Sequence, residues 1–202
     1  MAVTWTPHRF TGGVLALDVA NTVVLRNDPQ RGFDRFADPG EIGRFAEAAT
    51  LFRAAELGGR PLSAPQPHRI APQVLAIREA TDQLFRNAVG KGCMDTADLA
   101  PFLRACAEGL DGSSEELGRA EKPFGEPGTP IAFEAALAVS ALSLLAPGTL
   151  ARLRICPNCN WLFLDRSRNS SRLWCDMAVC GNRQKASRHY RRRRAEREVN
   201  NA

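Results

Sequence analysis

Residues 153–183 decide the fold of this chain, and they read LRICPNCNWLFLDRSRNSSRLWCDMAVCGNR. Two close pairs of cysteines lie in this stretch, with two residues inside the first pair, 15 between the pairs and four inside the second. This layout is typical of a structural zinc site, because each pair forms a tight turn that presents two sulfurs and the spacer lets the pairs converge on one tetrahedron. The predicted ligands of one zinc ion per chain are Cys156, Cys159, Cys175 and Cys180.

Other states of four cysteines remain open at this point. Four thiolates also suit an iron–sulfur cluster, and four cysteines can form two disulfides. We favour zinc because the segment has the pattern of a small folded finger. We expect reduced thiols in a cytoplasmic protein, because residues 1–10 lack the basic region and apolar run of a signal peptide. No stretch approaches 18 consecutive apolar residues, which argues against a membrane span.

The residues around the cysteines predict a treble-clef-like zinc finger, built from a knuckle, a β-hairpin and a C-terminal helix. Residues 161–164 have the pattern of a strand, residues 165–171 of a polar turn and residues 172–174 of the returning strand. Gly181 is expected to adopt unusual backbone angles, and Asn182 to cap a helix from Arg183 to about Val199. Trp161, Phe163 and Trp174 are expected to form the small core of the finger.

The formal net charge of +5 hides a split between two parts of the chain. Residues 1–150 hold 14 Lys+Arg and 18 Asp+Glu, a net of −4, whereas residues 151–202 hold 13 and four, a net of +9. Four zinc-bound thiolates leave the second part with a net charge of about +7. Such asymmetry indicates that the basic part meets a polyanion, so we expect DNA as a partner.

The C-terminal helix is predicted to have a broad cationic side and a narrow stripe, Ala186 and Tyr190, that packs on the finger. Arg172 on the hairpin extends the cationic surface. Arg183 has an alternative predicted role, in which it forms an ion pair with Asp165 or Asp176 and stabilises the finger. The candidate nucleic-acid contacts are Arg166, Arg168, Arg183, Lys185, Arg188, Arg191 and Arg192.

At Cys180-Gly181-Asn182-Arg183 the pattern becomes specific. The stretch from Leu153 to Arg194 resembles the CGNR zinc finger, a bacterial module named for this tetrapeptide, and it shares the motifs RICPNC at 154–159 and LFLDRSRN at 162–169. Residues 12–23, GGVLALDVANTV, look like the start of the helical domain that usually precedes this finger. The resemblance implies a stress-linked transcription regulator.

Residues 1–148 are predicted to be an α-helical domain, and residues 149–202 the finger, so that the fold class is mainly α. A helix opens at Asp38-Pro39 and runs to Leu57, and another runs from Pro72 to Val89. Asp95 or Thr96 caps a third helix that ends near Gly109. Thr129-Pro130 opens a fourth, which is apolar on nearly all sides and therefore central. Residues 14–25 favour a helix over a buried strand. Two loops rich in Gly, Pro and Ser are predicted around residues 59–69 and 109–128.

The helical part contains no pattern that indicates an enzyme. Asp18 and Asn21 lie on one face of the first predicted helix, and we expect them to cap it or to hydrogen-bond neighbouring backbone rather than to contact a ligand. Cys93 and Cys106 are expected to be small buried hydrophobic residues. Signal sensing or dimerisation is therefore the role predicted for this part, with a second copy of the chain and a small-molecule effector as its candidate partners.

These observations favour a DNA-binding transcription regulator that uses a zinc finger with four cysteine ligands and a basic helix. The alternative is a zinc finger that binds a protein partner or RNA without sequence-specific binding to DNA.

Overall fold

The computed structural model describes residues 2–111, 124, 128–186, 190 and 193 of the 202-residue chain. Helices dominate this part, which confirms the mainly α fold with a small β-hairpin at the finger. Its α-helices are α1 Leu15–Ala20, α2 Gly40–Phe52, α3 Pro67–Lys91, α4 Thr96–Leu110 and α5 Phe133–Ser143. Its strands are β1 Val23–Val24, β2 Phe33–Asp34, β3 Leu62–Ser63, β4 Ile131–Ala132, β5 Leu153–Ile155 and β6 Leu162–Leu164. No helix within the described ranges is both long and apolar enough to cross a bilayer.

The core lies around α3 and α5. Helix α3 contacts each of the other four helices. Helix α5 is buried on nearly all sides, as its sequence predicts, and its Ser140 satisfies its hydroxyl by accepting a hydrogen bond from the amide of Ala16 and donating one to Glu56. Burial of these apolar faces is the main force that holds the helices together.

Helix α4 agrees with the sequence at both ends, whereas α2 differs at its end. Asp95 caps α4 by accepting a hydrogen bond from the amide of Ala97, and the helix ends at Leu110, next to the predicted end. Helix α2 ends at Phe52 rather than Leu57, and turns lead from there to residues 58 and 59, two glycines with positive φ.

Helix α3 is longer at both ends than the predicted 72–89. It begins at Pro67, keeps Pro72 inside, and passes Gly90 to end at the left-handed Gly92. Pro67 supplies the proline of the first turn, where its missing N–H costs nothing, whereas Pro72 lies in the second turn and removes one backbone hydrogen bond.

Two apolar segments that favour helix also contribute short strands. Residues 14–25 form α1 and then β1, which pairs antiparallel with β2. Helix α5 starts at Phe133 rather than at residue 130, because Ile131 and Ala132 pair in parallel with β3. The predicted loop at 59–69 is therefore interrupted by β3, and most of the predicted loop at 109–128 lies outside the described residues.

The hairpin that leads into the finger differs from the predicted one. Strand β6 lies close to the expected position, but it pairs antiparallel with β5, upstream of the first cysteine pair. Residues 172–174 do not form the returning strand, because the amide of Arg172 donates to the carboxylate of Asp165 at 2.8 Å instead. Leu153 and Leu162 belong to the core of the helical part, so this hairpin joins the finger to the helices.

Candidate metal centre and basic surface

Four cysteine sulfurs converge at one end of the hairpin. All four Sγ atoms lie within 4.8 Å of one another, with 3.5 Å between those of Cys159 and Cys175 and 3.6 Å between those of Cys175 and Cys180. A tetrahedral zinc with bonds of about 2.3 Å places its sulfur ligands about 3.8 Å apart. The donor set and its spacing therefore fit zinc, which the four thiolates would hold in a closed structural site.

The first cysteine pair is positioned by a tight turn between β5 and β6. The amide of Cys156 donates to the carbonyl of Trp161, and the amide of Asn160 donates to the carbonyl of Cys156 at 2.8 Å. Asn160 has φ of 62°, a left-handed conformation that asparagine tolerates better than most residues. These bonds hold the two sulfurs of the knuckle on the same side of the turn.

Four residues separate the cysteines of the second pair, and the chain forms a π-helical turn there, over Met177–Gly181. Asp176 caps this turn by accepting hydrogen bonds from the amides of Ala178 and Val179. Asn182 is therefore not the cap that its residue type suggests: it is helical, and its side chain donates to the carbonyl of Ala178. The turn is closed by a hydrogen bond from the amide of Gly181 to the carbonyl of Asp176, so it holds one residue more than an α-helical turn, and the wider spacing makes room for it.

Gly181 is explained by space rather than by unusual backbone angles. Its φ is not among the positive ones, contrary to the sequence-based expectation. A Cβ at this position would lie 2.4 Å from the Sδ of Met177 and 3.3 Å from Cδ1 of Trp174. The absence of a side chain leaves room for the end of the Met177 side chain, and for Trp174, beside the last ligand.

Three of the thiols, those of Cys156, Cys159 and Cys175, affect one another's ionisation. Hydrogen bonds from Cys159 and Cys175 lower the pKa of Cys156, whereas the hydrogen bond to Cys156 is the main cause that raises the pKa of Cys159 and of Cys175. One sulfur can thus carry a negative charge at the expense of its neighbours. A dication removes this conflict, because it stabilises all four thiolates together.

A small core of its own surrounds the sulfurs, as predicted. Trp161 and Phe163 are buried with three of the cysteines, and Trp174 packs against them with part of its surface exposed.

The two remaining cysteines differ from each other. Cys106 is buried, and burial raises the pKa of its thiol to about 12, as expected of a small hydrophobic residue. Cys93 is exposed, so the same expectation is wrong for Cys93.

Polar contacts fasten the finger to the helical part. The side chain of Asn21 donates to the carbonyl of Leu162 at 2.8 Å and accepts from its amide at 3.0 Å. Nδ1 of His8 lies 2.8 Å from a carboxylate oxygen of Asp176. Arg86 donates to Asn160 through both the carbonyl and the side-chain oxygen of that residue.

Sequence reasoning missed these contacts, because each joins residues at least 74 positions apart. Asn21 therefore bonds a distant strand and not its neighbouring backbone. Asp18 follows the expectation in part: it accepts from the amide of Gly12 and also pairs with Arg53 at 2.5 Å.

Arg166 and Arg168 are placed on the loop of residues 165–172, which follows β6. Buried Asp165 holds this loop, because its carboxylate accepts hydrogen bonds from the amides of Ser167 and Arg172. Burial opposes ionisation of Asp165, but hydrogen bonds from the Ser167 side chain and from these two amides lower its pKa overall and keep the carboxylate charged. Arg166 is exposed at the surface of the loop.

The final helix begins within the described residues and is seen over 182–186. Arg183 and Lys185 are exposed on it, and neither Asp165 nor Asp176 pairs with Arg183, because other groups already bond these carboxylates. Ala186 is exposed and Tyr190 is 71% exposed, so the predicted stripe does not pack on the finger. Arg188, Arg191 and Arg192 lie outside the described residues.

The fold and the site together define a mainly helical protein with a zinc finger of four cysteine ligands. Residues 152–193 match the family model described as CGNR zinc finger, and residues 13–151 match the one described as putative stress-induced transcription regulator. The second match covers more than half of the chain, so the chain belongs to this regulator family. The family and the cysteine geometry together identify one zinc ion as the cofactor. No curated protein and no solved structure matches the chain.

Proposed function

We propose that this protein is a DNA-binding transcription regulator in which exposed cations of the zinc finger contact the phosphate backbone. The family names point to regulation and to a zinc finger. The contact with DNA is inferred from the charge and ion pairing of the finger.

One contrast in ion pairing carries the proposal. In the described residues of the helical part, seven cations lie in ion pairs with carboxylates: Arg26, Arg31, Arg44, Arg53, Arg78, Arg86 and Lys91. The described cations of residues 152–193 form no ion pair with any carboxylate that the structure describes, and they are Arg152, Arg154, Arg166, Arg168, Arg172, Arg183, Lys185 and Arg193. Their charge therefore remains available to an external polyanion.

The two described carboxylates of the finger serve its internal structure. Asp165 bonds the amides of its own loop, and Asp176 caps the turn before Cys180 and bonds His8. Neither forms an ion pair with an arginine of the described finger, although Asp165 attracts Arg172 at longer range. Two acids against eight described cations leave the surface with a net positive charge.

The loop that carries Arg166 and Arg168 is ordered before any ligand binds. Besides the bonds to Asp165, Nη1 of Arg152 donates to the carbonyls of Asp165 and Ser167 at 3.2 Å. A preformed loop loses less conformational entropy on binding than a flexible one, so its phosphate contacts contribute more to affinity.

We assign the phosphate contacts to Arg166, Arg168, Arg183 and Lys185, together with Arg188, Arg191 and Arg192 beyond the described helix. We assign residues 149–202 to the finger and residues 1–148 to sensing or dimerisation, with a second copy of the chain and a small-molecule effector as partners. Such a regulator works in the cytoplasm, where thiols stay reduced.

A charge-reversal pair tests this proposal. We expect the double variant Arg166→Glu and Arg168→Glu of the zinc-loaded full chain to bind duplex DNA about tenfold more weakly or worse. The matched control is the double variant Arg69→Glu and Arg104→Glu, which changes the net charge by the same amount. Both arginines are exposed, on α3 and α4. The affinity of this control should stay within about twofold of the wild type.

Equal losses in both double variants would contradict a finger-specific contact. Tighter binding of single-stranded RNA than of duplex DNA would also overturn the proposal and support the RNA-binding alternative.

A further inference from the structure

A buried arginine lies where the helical part meets the finger. Arg35 is only 6% exposed, and its guanidinium lies between two aromatic rings, 5.5 Å from the ring centroid of Phe33 and 5.4 Å from that of Trp161. Within the described structure, the guanidinium donates one hydrogen bond, from Nη1 to the carbonyl of Asn21 at 3.1 Å. No carboxylate among the described residues forms an ion pair with it.

Another buried arginine of the chain shows what Arg35 lacks. Arg78 is 5% exposed and also lies over an aromatic ring, that of Phe36. Both of its terminal nitrogens donate to the carboxylate of Asp34, at 2.7 and 2.8 Å. Asp34 precedes Arg35 in the chain but is committed to Arg78. A charge as buried as that of Arg35 is costly without a counterion.

Two donors beside Arg35 are buried without an acceptor in the described structure. They are Nε of Arg9 and the indole Nε1 of Trp161. His8, next to Arg9 in the chain, stacks on Trp161 with 5.5 Å between ring centroids. Burial and the positive charge of Arg9 lower the pKa of Arg35 to about 10, so the two guanidinium groups repel each other across this seam.

The nearby acids compensate this positive charge only in part, because Asp34 attracts Arg35 without forming an ion pair with it. Asp176 bonds His8, and Asp34 bonds Arg78. Water could satisfy the free N–H donors, but it would leave two guanidinium charges beside each other. An oxyanion satisfies the donors and balances the charge, and arginine binds carboxylate and phosphate groups in a bidentate manner.

We propose that Arg9, Arg35 and the indole N–H of Trp161 form a binding site for a small free oxyanion, the phosphate or carboxylate group of a small molecule. The burial of Arg35 favours a small ligand, because a DNA backbone is too large to reach it. Trp161 belongs to the core around the cysteines, so an anion bound here contacts the helical part and the finger together. This site is separate from the exposed cations proposed to contact DNA.

Thermal unfolding of the zinc-loaded full chain tests the site without DNA. Inorganic phosphate and acetate are titrated separately at constant ionic strength, with chloride as the balancing anion. We expect phosphate, acetate or both to raise the Tm above the chloride value, with a dependence on concentration that follows binding to the folded state. In Arg9→Gln and in Arg35→Gln, the anion concentration that gives the same rise in Tm as in the wild type should be about tenfold higher.

Arg104→Gln, an exposed arginine of α4, is the control and should respond as the wild type does. If Arg35→Gln does not fold, Arg9→Gln carries the test, because Arg9 is only half-buried in the short helix Pro7–Phe10.

The indole N–H signals in NMR spectra give a direct second measurement. The Trp161 signal should shift as the anion is added, while the Trp5 signal should stay in place, because its Nε1 already donates to Glu41. The proposal would be overturned if neither phosphate nor acetate raised the Tm above the chloride value. It would also be overturned if the Tm of Arg9→Gln rose with anion concentration as that of the wild type does.

Discussion

Asn21, which follows helix α1, and Leu162 of strand β6 form a reciprocal pair of hydrogen bonds, 2.8 Å from the Asn21 side chain to the Leu162 carbonyl and 3.0 Å from the Leu162 amide to the Asn21 side chain. Both residues are buried, and they lie 141 positions apart. The amide of Leu164 also donates to the carbonyl of Gly12 at 2.7 Å. The start of the helical part therefore completes the backbone hydrogen bonding of the strand that follows the first zinc knuckle.

Loss of the Asn21 side chain should destabilise the whole protein. Asn21→Ala leaves a buried amide and a buried carbonyl of Leu162 without partners, and we expect the free energy of unfolding to fall by about 2 to 3 kcal/mol in denaturant titrations of the zinc-loaded chain. The matched control is Asn87→Ala, whose half-buried side chain bonds Asp98. It should cost less than about 1 kcal/mol. Equal costs in the two variants would contradict a special role for Asn21.

Zinc should be bound at one ion per chain and should stabilise more than the finger. We expect Cys156→Ser to lose the metal in elemental analysis and to lower the Tm of the helical part, because Leu153 and Leu162 of the adjoining hairpin belong to the main core. Cys93→Ser changes an exposed cysteine outside the site and should retain one zinc. A wild-type content of no zinc or two, or zinc retained by Cys156→Ser, would be inconsistent with this site.

The buried carboxyl of Asp18 should make stability depend on pH. Burial raises its pKa to about 6, against the opposing effect of Arg53. A carboxyl whose pKa is higher in the folded than in the unfolded state holds more protons when folded, so its contribution to stability falls as the pH rises through this window.

We therefore expect the unfolding free energy of the wild type, relative to that of Asp18→Asn, to fall by about 2 to 3 kcal/mol between pH 4 and pH 7. Denaturant titrations of both proteins across this range measure the difference, in which the titration of other groups cancels. A difference that stays constant or grows with pH would show that the Asp18 pKa is not raised.

Local chemistry made part of this structure predictable from sequence. The four ligands follow from cysteine spacing, and the cap at Asp95 from the preference of aspartate for that position. The partner of β6 was predicted wrongly, because both candidate partners are only three residues long and the strand pattern alone does not distinguish Leu153–Ile155 from residues 172–174. The burial of Asp165 decides the outcome, since its carboxylate takes the amide of Arg172.

The contacts at the seam between helices and finger could not be predicted in this way. Asn21, His8 and Arg35 act through residues that the fold brings close from more than 100 positions away. Their residue types are compatible with ordinary surface or capping roles, and spacing carries no information about such distant partners. Only the tertiary packing shows which partners these three residues have.

The salt dependence of duplex DNA binding tests the central claim most directly. The zinc-loaded wild-type chain is titrated with a labelled duplex at several salt concentrations, and the logarithm of the binding constant is plotted against that of the salt concentration. Contacts from Arg166, Arg168, Arg183 and Lys185 predict a slope of about −3 or steeper, because each phosphate contact contributes about −0.9. A flat plot, or no detectable binding at low salt, would contradict the account.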